Sequence, residues 1–140
     1  MTARPKAPSR GTEKACDVHA VIEVRYLPEL WIPVAIPPCH RNYDLFACLA
    51  GVRGTHTPWF EPRGLPPDFH NHPYLHPQGH HETWFLMSEV TSFGEPRTWG
   101  TDAKRLWGRW RGYLDFVYRD YSKELHLTKD RVRVVMNFDG

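Results

Sequence analysis

The residues whose types and spacing best suit chemistry lie in segment 16–26, where polar and apolar side chains alternate. One face of this predicted strand carries Asp17, His19, Glu23 and Arg25. A carboxylate beside an imidazole can orient the ring as a general base, or both groups can bind a metal ion. The same pattern is also typical of a solvent-facing strand with mixed charges, and the sequence favours neither interpretation.

A histidine-rich loop over residues 54–82 supplies a second group of candidates. His80 is predicted to belong to the site because it stands between a glycine and a short apolar strand. His80 and His81 are weak candidates for metal ligands, since their spacing matches no standard zinc motif. Three further histidines of this loop are predicted to be surface residues: His70, His72 and His76. No cofactor is expected, although a divalent metal ion remains compatible with these residues.

Three arginines in loops form the third group: Arg41, Arg53 and Arg63. The planar guanidinium fork suits phosphate, and a neighbouring glycine lets a ligand approach the backbone closely. Aromatic side chains that could stack on nucleotide bases lie nearby in the sequence: Tyr43, Trp59 and Phe60. The alternative interpretation is ordinary ion pairing within loops, for instance between Glu61 and Arg63.

Length and composition narrow the class of protein. The 140 residues correspond to one ordinary domain, and a net charge of +2 argues against a binder of duplex DNA. Three cysteines without a C-x-x-C spacing argue against a disulfide framework. No apolar run is long enough to cross a membrane, and residues 1–14 lack the apolar core of a signal peptide. We therefore expect a disordered lead-in at 1–14, a domain at 15–140 and a cytoplasmic location.

The hydrophobic pattern predicts strands at 16–26, 30–36, 83–87 and 131–138, and helices at 42–51 and 102–123. Asn42 is the expected N-cap of the first helix, and Thr101 or Asp102 that of the second. Segments 16–26 and 30–36 are predicted to form a hairpin with the second strand at the sheet edge, because Pro33 disfavours a central position.

These elements predict an α+β fold in which the first and last strands are central in the sheet. If the two are neighbours, their polar faces combine into one shallow surface. That surface would carry His19, Glu23, Arg25, Arg133 and Asn137.

Several motifs resemble, in type and order, a family of small phage and prophage proteins of unassigned activity. They are Cys16-Asp-Val-His19, Arg41-Asn-Tyr-Asp-Leu-Phe46, Leu49-Ala-Gly-Val-Arg53, Glu61-Pro-Arg-Gly-Leu-Pro66, Gly79-His80 and Val132-Arg-Val-Val-Met-Asn-Phe-Asp139. The resemblance covers residues 16–140 and departs from the family pattern at His81, where a small polar residue is expected. It implies an accessory role, because small phage proteins often counter host defence, some by binding or cleaving nucleotide signals.

The first functional hypothesis is an anti-defence protein that sequesters a small anionic nucleotide, such as a cyclic dinucleotide or an ADP-ribose derivative. Its phosphate contacts would be Arg41, Arg53 and Arg63, its stacking contacts Tyr43, Trp59 and Trp84, and its further binding residues Glu23 and Arg25. A homo-oligomer is expected, since two subunits can enclose a ligand between them.

Two other hypotheses remain open. One is a phosphodiesterase that cleaves such a nucleotide, with His19 and His80 as general base and acid and Asp17 orienting one of them. A metal-assisted form would add Glu23 and His81 as ligands. The other is an inhibitor that binds a host defence protein through its tryptophan-rich surface and the loop 54–82.

Overall fold

The computed structural model describes residues 15–70 and 73–140, so the lead-in at 1–14 and His72 lie outside the described residues. The described part contains a four-stranded antiparallel sheet and three α-helices, which confirms the predicted α+β fold. None of its helices combines the length and the apolarity that crossing a membrane requires.

The sheet consists of β1 (Asp17–Leu27), β2 (Leu30–Ala35), β3 (His80–Leu86) and β4 (Val132–Asp139) in the order β2-β1-β4-β3. The first and last strands are central neighbours, as predicted, and β2 with Pro33 is an edge strand. Antiparallel pairing sets Asp17 opposite Asp139, and Glu23 opposite Arg133. Strand β3 begins earlier than the sequence predicts, because an irregularity after His80 lets the chain join the sheet before the apolar residues start.

The helices are α1 (Tyr43–Ala50), α2 (Met87–Val90) and α3 (Thr101–Leu125). Asn42 caps α1 as predicted, since its side-chain oxygen accepts the Leu45 N–H at 2.9 Å. Helix α3 instead has Gly100 at its N-cap, without a side-chain cap. The predicted cap Asp102 lies inside the first turn, where its exposed carboxylate lies 3.7 Å from the guanidinium of Arg105.

One face of the sheet carries the main core, because alternate residues of β1 and β4 turn toward α1 and α3. Its buried members include Val18, Ala20, Ile22, Leu45, Phe46, Trp107, Trp110, Val134, Met136 and Phe138. Each large apolar side chain buried here contributes roughly 1.5–3 kcal/mol to the free energy of folding.

The opposite face of the sheet is covered by the loop that precedes β3. Leu75 packs on Val21 and Val135, and Phe69 and Trp84 border this second, smaller cluster. The prediction of a shallow polar surface is therefore wrong over most of this face, because the loop buries Glu23, Arg133 and Asn137 to no more than 2% exposure. Only the end of this face near the start of β1 remains open.

Candidate functional site

Several of the sequence-predicted site residues meet at one end of the sheet. There β1 begins, β4 ends and β3 begins, because β4 lies between β1 and β3 and is antiparallel to both. We call this region the polar end and define it by Asp17, His19, Arg41, Tyr43, Arg53, His76, His80 and Asp139.

The centre of the polar end is a carboxylate shared by two imidazoles. Oδ2 of Asp139 lies 3.3 Å from Nε2 of His19 and 3.4 Å from Nε2 of His76. The two rings have centroids 5.2 Å apart and are tilted by 49°. All three side chains are about one-third exposed. Nε2 of His19 is itself buried, so a ligand from solvent reaches the cluster through its other atoms.

The environment of Asp139 favours its ionised form. Burial pushes the pKa of this carboxyl upward, but the contact with His19, the backbone N–H of Asp17 and the positive charge available on His19 and His76 outweigh it. The pKa of Asp139 therefore lies below its ordinary value. An ionised Asp139 can orient either imidazole and stabilise its protonated form.

His76 is held in place by a buried asparagine. Its backbone N–H donates to Oδ1 of Asn137 at 3.0 Å, and Nδ2 of Asn137 donates to its carbonyl at 2.8 Å. Gly79 packs so closely on the same amide that a Cβ there would stand 2.1 Å from Nδ2 of Asn137. The histidine-rich loop is thus fastened to β4 at this point. His76, predicted to be a surface residue, keeps about one-third of its side chain exposed and belongs to the polar end.

Asp17 and Arg41 form the rim of the polar end. Nε and Nη2 of Arg41 donate to Oδ1 of Asp17 at 3.0 and 2.8 Å, and the backbone N–H of Asp17 donates to Oδ1 of Asp139 at 3.2 Å. Asp17 therefore binds an arginine, and the carboxylate that orients His19 is that of Asp139. The hydrogen bond and charge of Asp17 raise the pKa of the Arg41 guanidinium.

Tyr43 and Arg53 extend the rim on the side of α1. The Tyr43 hydroxyl accepts the backbone N–H of Cys16 at 3.2 Å, and the Arg53 guanidinium lies 4.7 Å from the Tyr43 ring centroid. Arg53 has a φ of 67°, the left-handed region that non-glycine residues rarely adopt. Its side chain is exposed beside a stacking surface, an arrangement suited to binding an anion.

His80 lies at the edge of the polar end and does not contact the shared carboxylate. Its Nε2 lies 3.3 Å from the Gly140 carbonyl, and its Nδ1 lies 2.8 Å from Nδ1 of His81. Burial and the neighbouring His80 charge lower the pKa of His81. Within residues 15–70 and 73–140, no three histidine, cysteine or carboxylate side chains form a group that could hold a metal ion. The metal-assisted interpretation remains a prediction.

Glu23 belongs to a buried ion network at the other end of the same sheet face. Nε of Arg133 donates to Oε1 of Glu23 at 2.7 Å, and its Nη1 donates to Oδ1 of Asp68 at 2.8 Å. The Trp31 indole covers the guanidinium at 3.9 Å from its ring centroid and donates to Asp68. Glu23 therefore stabilises the fold at this position and is not available to a ligand.

The remaining predicted residues lie elsewhere. Arg63 forms a two-pronged ion pair with Glu89, at 2.7 and 2.8 Å, and its guanidinium lies 4.9 Å from the Trp84 ring centroid. Trp59 stacks on Phe93 within the core at 4.7 Å between ring centroids. Arg25 donates to the Pro28 carbonyl in the β1–β2 turn. These side chains are engaged in packing or turn contacts away from the polar end.

A large groove lies on the helical side of the molecule. It has a volume of about 740 Å³ and lies between α3 and the segment from α2 to Glu95, with Met87 and Trp107 in its wall. None of the sequence-predicted site residues lines it. Its size alone does not make it the candidate site, because the titratable groups that could carry chemistry converge at the polar end.

Comparisons of the chain with protein-family models, with curated proteins and with solved structures found no match. The geometry of the polar end therefore carries the functional argument.

Two residues of the polar end, His76 and Asp139, were missing from the sequence-predicted site. The period of two along β4 sets Asp139 on the same face as Asn137, and pairing with β1 then sets it beside His19. The pairing of β1 with β4 could therefore have identified Asp139 as a neighbour of His19 from the sequence. No pattern in the sequence indicates that His76, rather than His70, folds back onto Asn137.

Proposed function

We propose that this chain binds a small phosphate-bearing nucleotide at the polar end. The observation that supports this is the grouping of cationic side chains at one end of the sheet: Arg41 on Asp17, Arg53 over the ring of Tyr43, and the His19–His76 pair on Asp139. Arginine and protonated histidine donate charge-assisted hydrogen bonds to phosphate, and a tyrosine ring next to them stacks on a base.

The acidic residues of the polar end fit the same ligand. Asp139 and Asp17 are acceptors only when ionised, and ribose hydroxyls are donors that carboxylates bind in nucleotide sites. The partly exposed positions of both carboxylates leave lone pairs available to such hydroxyls. The donors would then bind the phosphate of the nucleotide and the acceptors its sugar.

The biological role that we propose is that of a phage accessory protein which sequesters a nucleotide signal of host defence. The family resemblance over residues 16–140 supports this role. Its motifs Arg41-Asn-Tyr43 and Leu49-Ala-Gly-Val-Arg53 contain three residues of the polar end. Candidate ligands are cyclic dinucleotides and ADP-ribose derivatives, both of which carry phosphate, ribose and base.

Calorimetric titration of the full chain tests nucleotide binding. The probes are ribonucleoside 5′-monophosphates, cyclic dinucleotides and ADP-ribose, with Arg41→Gln and Arg53→Gln as site variants. Each variant should weaken binding by about tenfold or more, because a hydrogen bond to a charged group contributes about 1.5–3 kcal/mol. Arg25→Gln, at the other end of β1, is the control and should bind as the wild type does. The proposal fails if no probe binds or if Arg25→Gln weakens binding equally.

A second candidate function is cleavage of the bound nucleotide. It is supported by the contact of two imidazole nitrogens, those of His19 and His76, with one ionised carboxylate. One ring could accept a proton from the attacking water while the other donates a proton to the leaving oxygen, and Arg41 could stabilise the negative charge on the non-bridging phosphate oxygens. In this form the acid–base pair is His19 and His76 instead of His19 and His80.

Recovery of the nucleotide after denaturing the complex separates the two functions. Intact nucleotide supports sequestration, whereas hydrolysed product supports cleavage. If the chain cleaves, His19→Gln and His76→Gln should each slow turnover by about a hundredfold or more. The control variant His70→Gln, in the exposed part of the same loop, should leave the rate unchanged. Repeating the assay with a chelator tests whether a divalent metal ion takes part.

A further inference from the structure

A second basic cavity borders Arg41 on the side away from the sheet. We call it the arginine groove; its volume is about 330 Å³, within the lower range of small-ligand sites. Its walls are the segment before α1 and the first two turns of α3. The residues that matter for its chemistry are His40, Arg41, Asp102, Arg105, Leu106 and Arg109.

Buried contacts fix the two walls relative to each other. The Trp110 indole N–H donates to the Pro38 carbonyl at 2.6 Å, which holds the segment before α1 against α3. Leu106 and Trp110 are buried on the inner face of the helix, while Arg105 and Arg109 stand one turn apart on its exposed face. The groove therefore has a fixed apolar support and a basic lining.

The lining of the arginine groove carries an excess of positive charge, with three arginines and one carboxylate. Arg105 has only a loose partner in Asp102, at 3.7 Å with the carboxylate 88% exposed. Arg109 has no ion pair or side-chain hydrogen bond with any residue of ranges 15–70 and 73–140. Two like charges one helical turn apart repel each other, and a bound anion relieves that repulsion.

Arg41 connects the arginine groove with the polar end. Its guanidinium lines the groove and also donates to Asp17, whose backbone N–H donates to Asp139, the partner of His19. Three successive contacts thus separate Arg41 from the histidine pair. A ligand that occupies the groove and the polar end together has to carry two separated phosphates. Two phosphates joined through a ribose are further apart than those of a diphosphate, whose phosphorus atoms share one bridging oxygen.

We propose that the arginine groove is a second phosphate subsite, and that the ligand of this protein is a dinucleotide. One phosphate binds Arg105 and Arg109 in the groove, the other binds at the polar end, and Arg41 lies between them. This inference rests on the proposed function of the polar end, because it names the class of nucleotide that binds there.

Calorimetric titration with ligands of different length tests the second subsite. The probes are AMP, ADP, the linear dinucleotide pApA and cyclic di-AMP, with GMP, GDP, pGpG and cyclic di-GMP as a second set. The wild-type chain should bind one of the dinucleotides at least about tenfold more tightly than the matching mononucleotide or diphosphate. In the double variant Arg105→Gln/Arg109→Gln this advantage should be lost, with mononucleotide binding unchanged. The control Arg119→Gln removes an exposed arginine further along α3 and should change neither affinity.

Each result separates this inference from the proposed function. If mononucleotides bind and Arg53→Gln weakens them, but dinucleotides bind no more tightly, the second subsite is wrong and the proposed function stands. If the double variant weakens mononucleotides and dinucleotides equally, the groove is not a separate subsite and the inference fails. If no nucleotide binds the wild-type chain, both proposals fail.

Discussion

The same two strands, β1 and β4, build two charged clusters on one face of the sheet, and only one of them is open. At one end Glu23 and Arg133, cross-strand partners, have side chains only 2% exposed and lie beneath Trp31. At the other end His19 and Asp139 have side chains about one-third exposed. The difference lies in what covers each cluster rather than in the types of residue.

That difference separates structural charge from charge available to a ligand. A buried ion pair has lost its water, so each of its groups depends on the other, and removing one leaves an uncompensated charge. An exposed cluster keeps its water and can exchange it for a ligand. We therefore expect substitutions in the buried network to change stability and substitutions at the polar end to change binding.

The largest expected effect is on the buried network. Glu23→Gln should lower the free energy of unfolding by about 3 kcal/mol, because it removes the buried carboxylate and leaves Arg133 paired with the more exposed Asp68. Urea unfolding followed by tryptophan fluorescence measures this. Asp17→Asn is the control on the same strand, β1. It breaks the exposed ion pair with Arg41 and should lower the free energy of unfolding by no more than about 1 kcal/mol. Equal losses in both variants would contradict the distinction between the two clusters.

A smaller loss is expected where the loop is fastened to β4. Gly79→Ala places a Cβ against the amide of Asn137 and should lower the free energy of unfolding by about 1–3 kcal/mol. Displacing Asn137 also releases His76, so the ring signals of His76 in NMR spectra should shift with those of His19. Gly94→Ala, where a Cβ meets nothing within 4 Å, is the control and should leave these signals in place. Unchanged His76 signals in Gly79→Ala would show that Asn137 does not hold the loop.

The polar end should contribute to stability in a pH-dependent way. The folded-state pKa of Asp139 is lowered, so its ionised form stabilises the folded chain above its unfolded-state pKa of about 4. This contribution is lost as the pH falls through the lower folded-state pKa. The stability difference between wild type and Asp139→Asn should therefore be present near neutral pH and disappear in acid, as measured by urea unfolding over the acid range. A difference that grew toward acid pH would contradict this assignment.

The smallest expected effect is on anion affinity. Asp17→Asn removes the carboxylate that accepts both hydrogen bonds from Arg41, so the guanidinium becomes available and phosphate probes should bind a few times more tightly. Titration with inorganic phosphate at constant salt measures this, because this probe has no ribose for Asp17 to bind. Asp44→Asn, in the first turn of α1, is the control for the general loss of one negative charge. An equal gain in both variants would indicate a long-range charge effect and no special role of Arg41.

The sheet, its hairpin and the two long helices could be predicted because they depend on local patterns. Alternation in β1 and β4, the Asn42 cap and the apolar stripe of α3 are each visible within a few residues of one another. The burial of Glu23 could not be predicted in this way, because it depends on a loop from far along the chain that places Asp68 beside Arg133. The polarity of Glu23 and His19 is similar in the sequence, and only this long-range contact distinguishes them.

Mapping the binding surface by NMR tests the central claim most directly. The measurement is the change in backbone and histidine ring signals of the full isotope-labelled chain as a nucleotide is added. We predict that the largest changes fall on His19, Arg53, His76 and Asp139, and that Glu23 and Arg133 are unaffected. Changes centred on the groove beside Trp107, or an absence of changes at His19 and His76 at saturating ligand, would contradict the account.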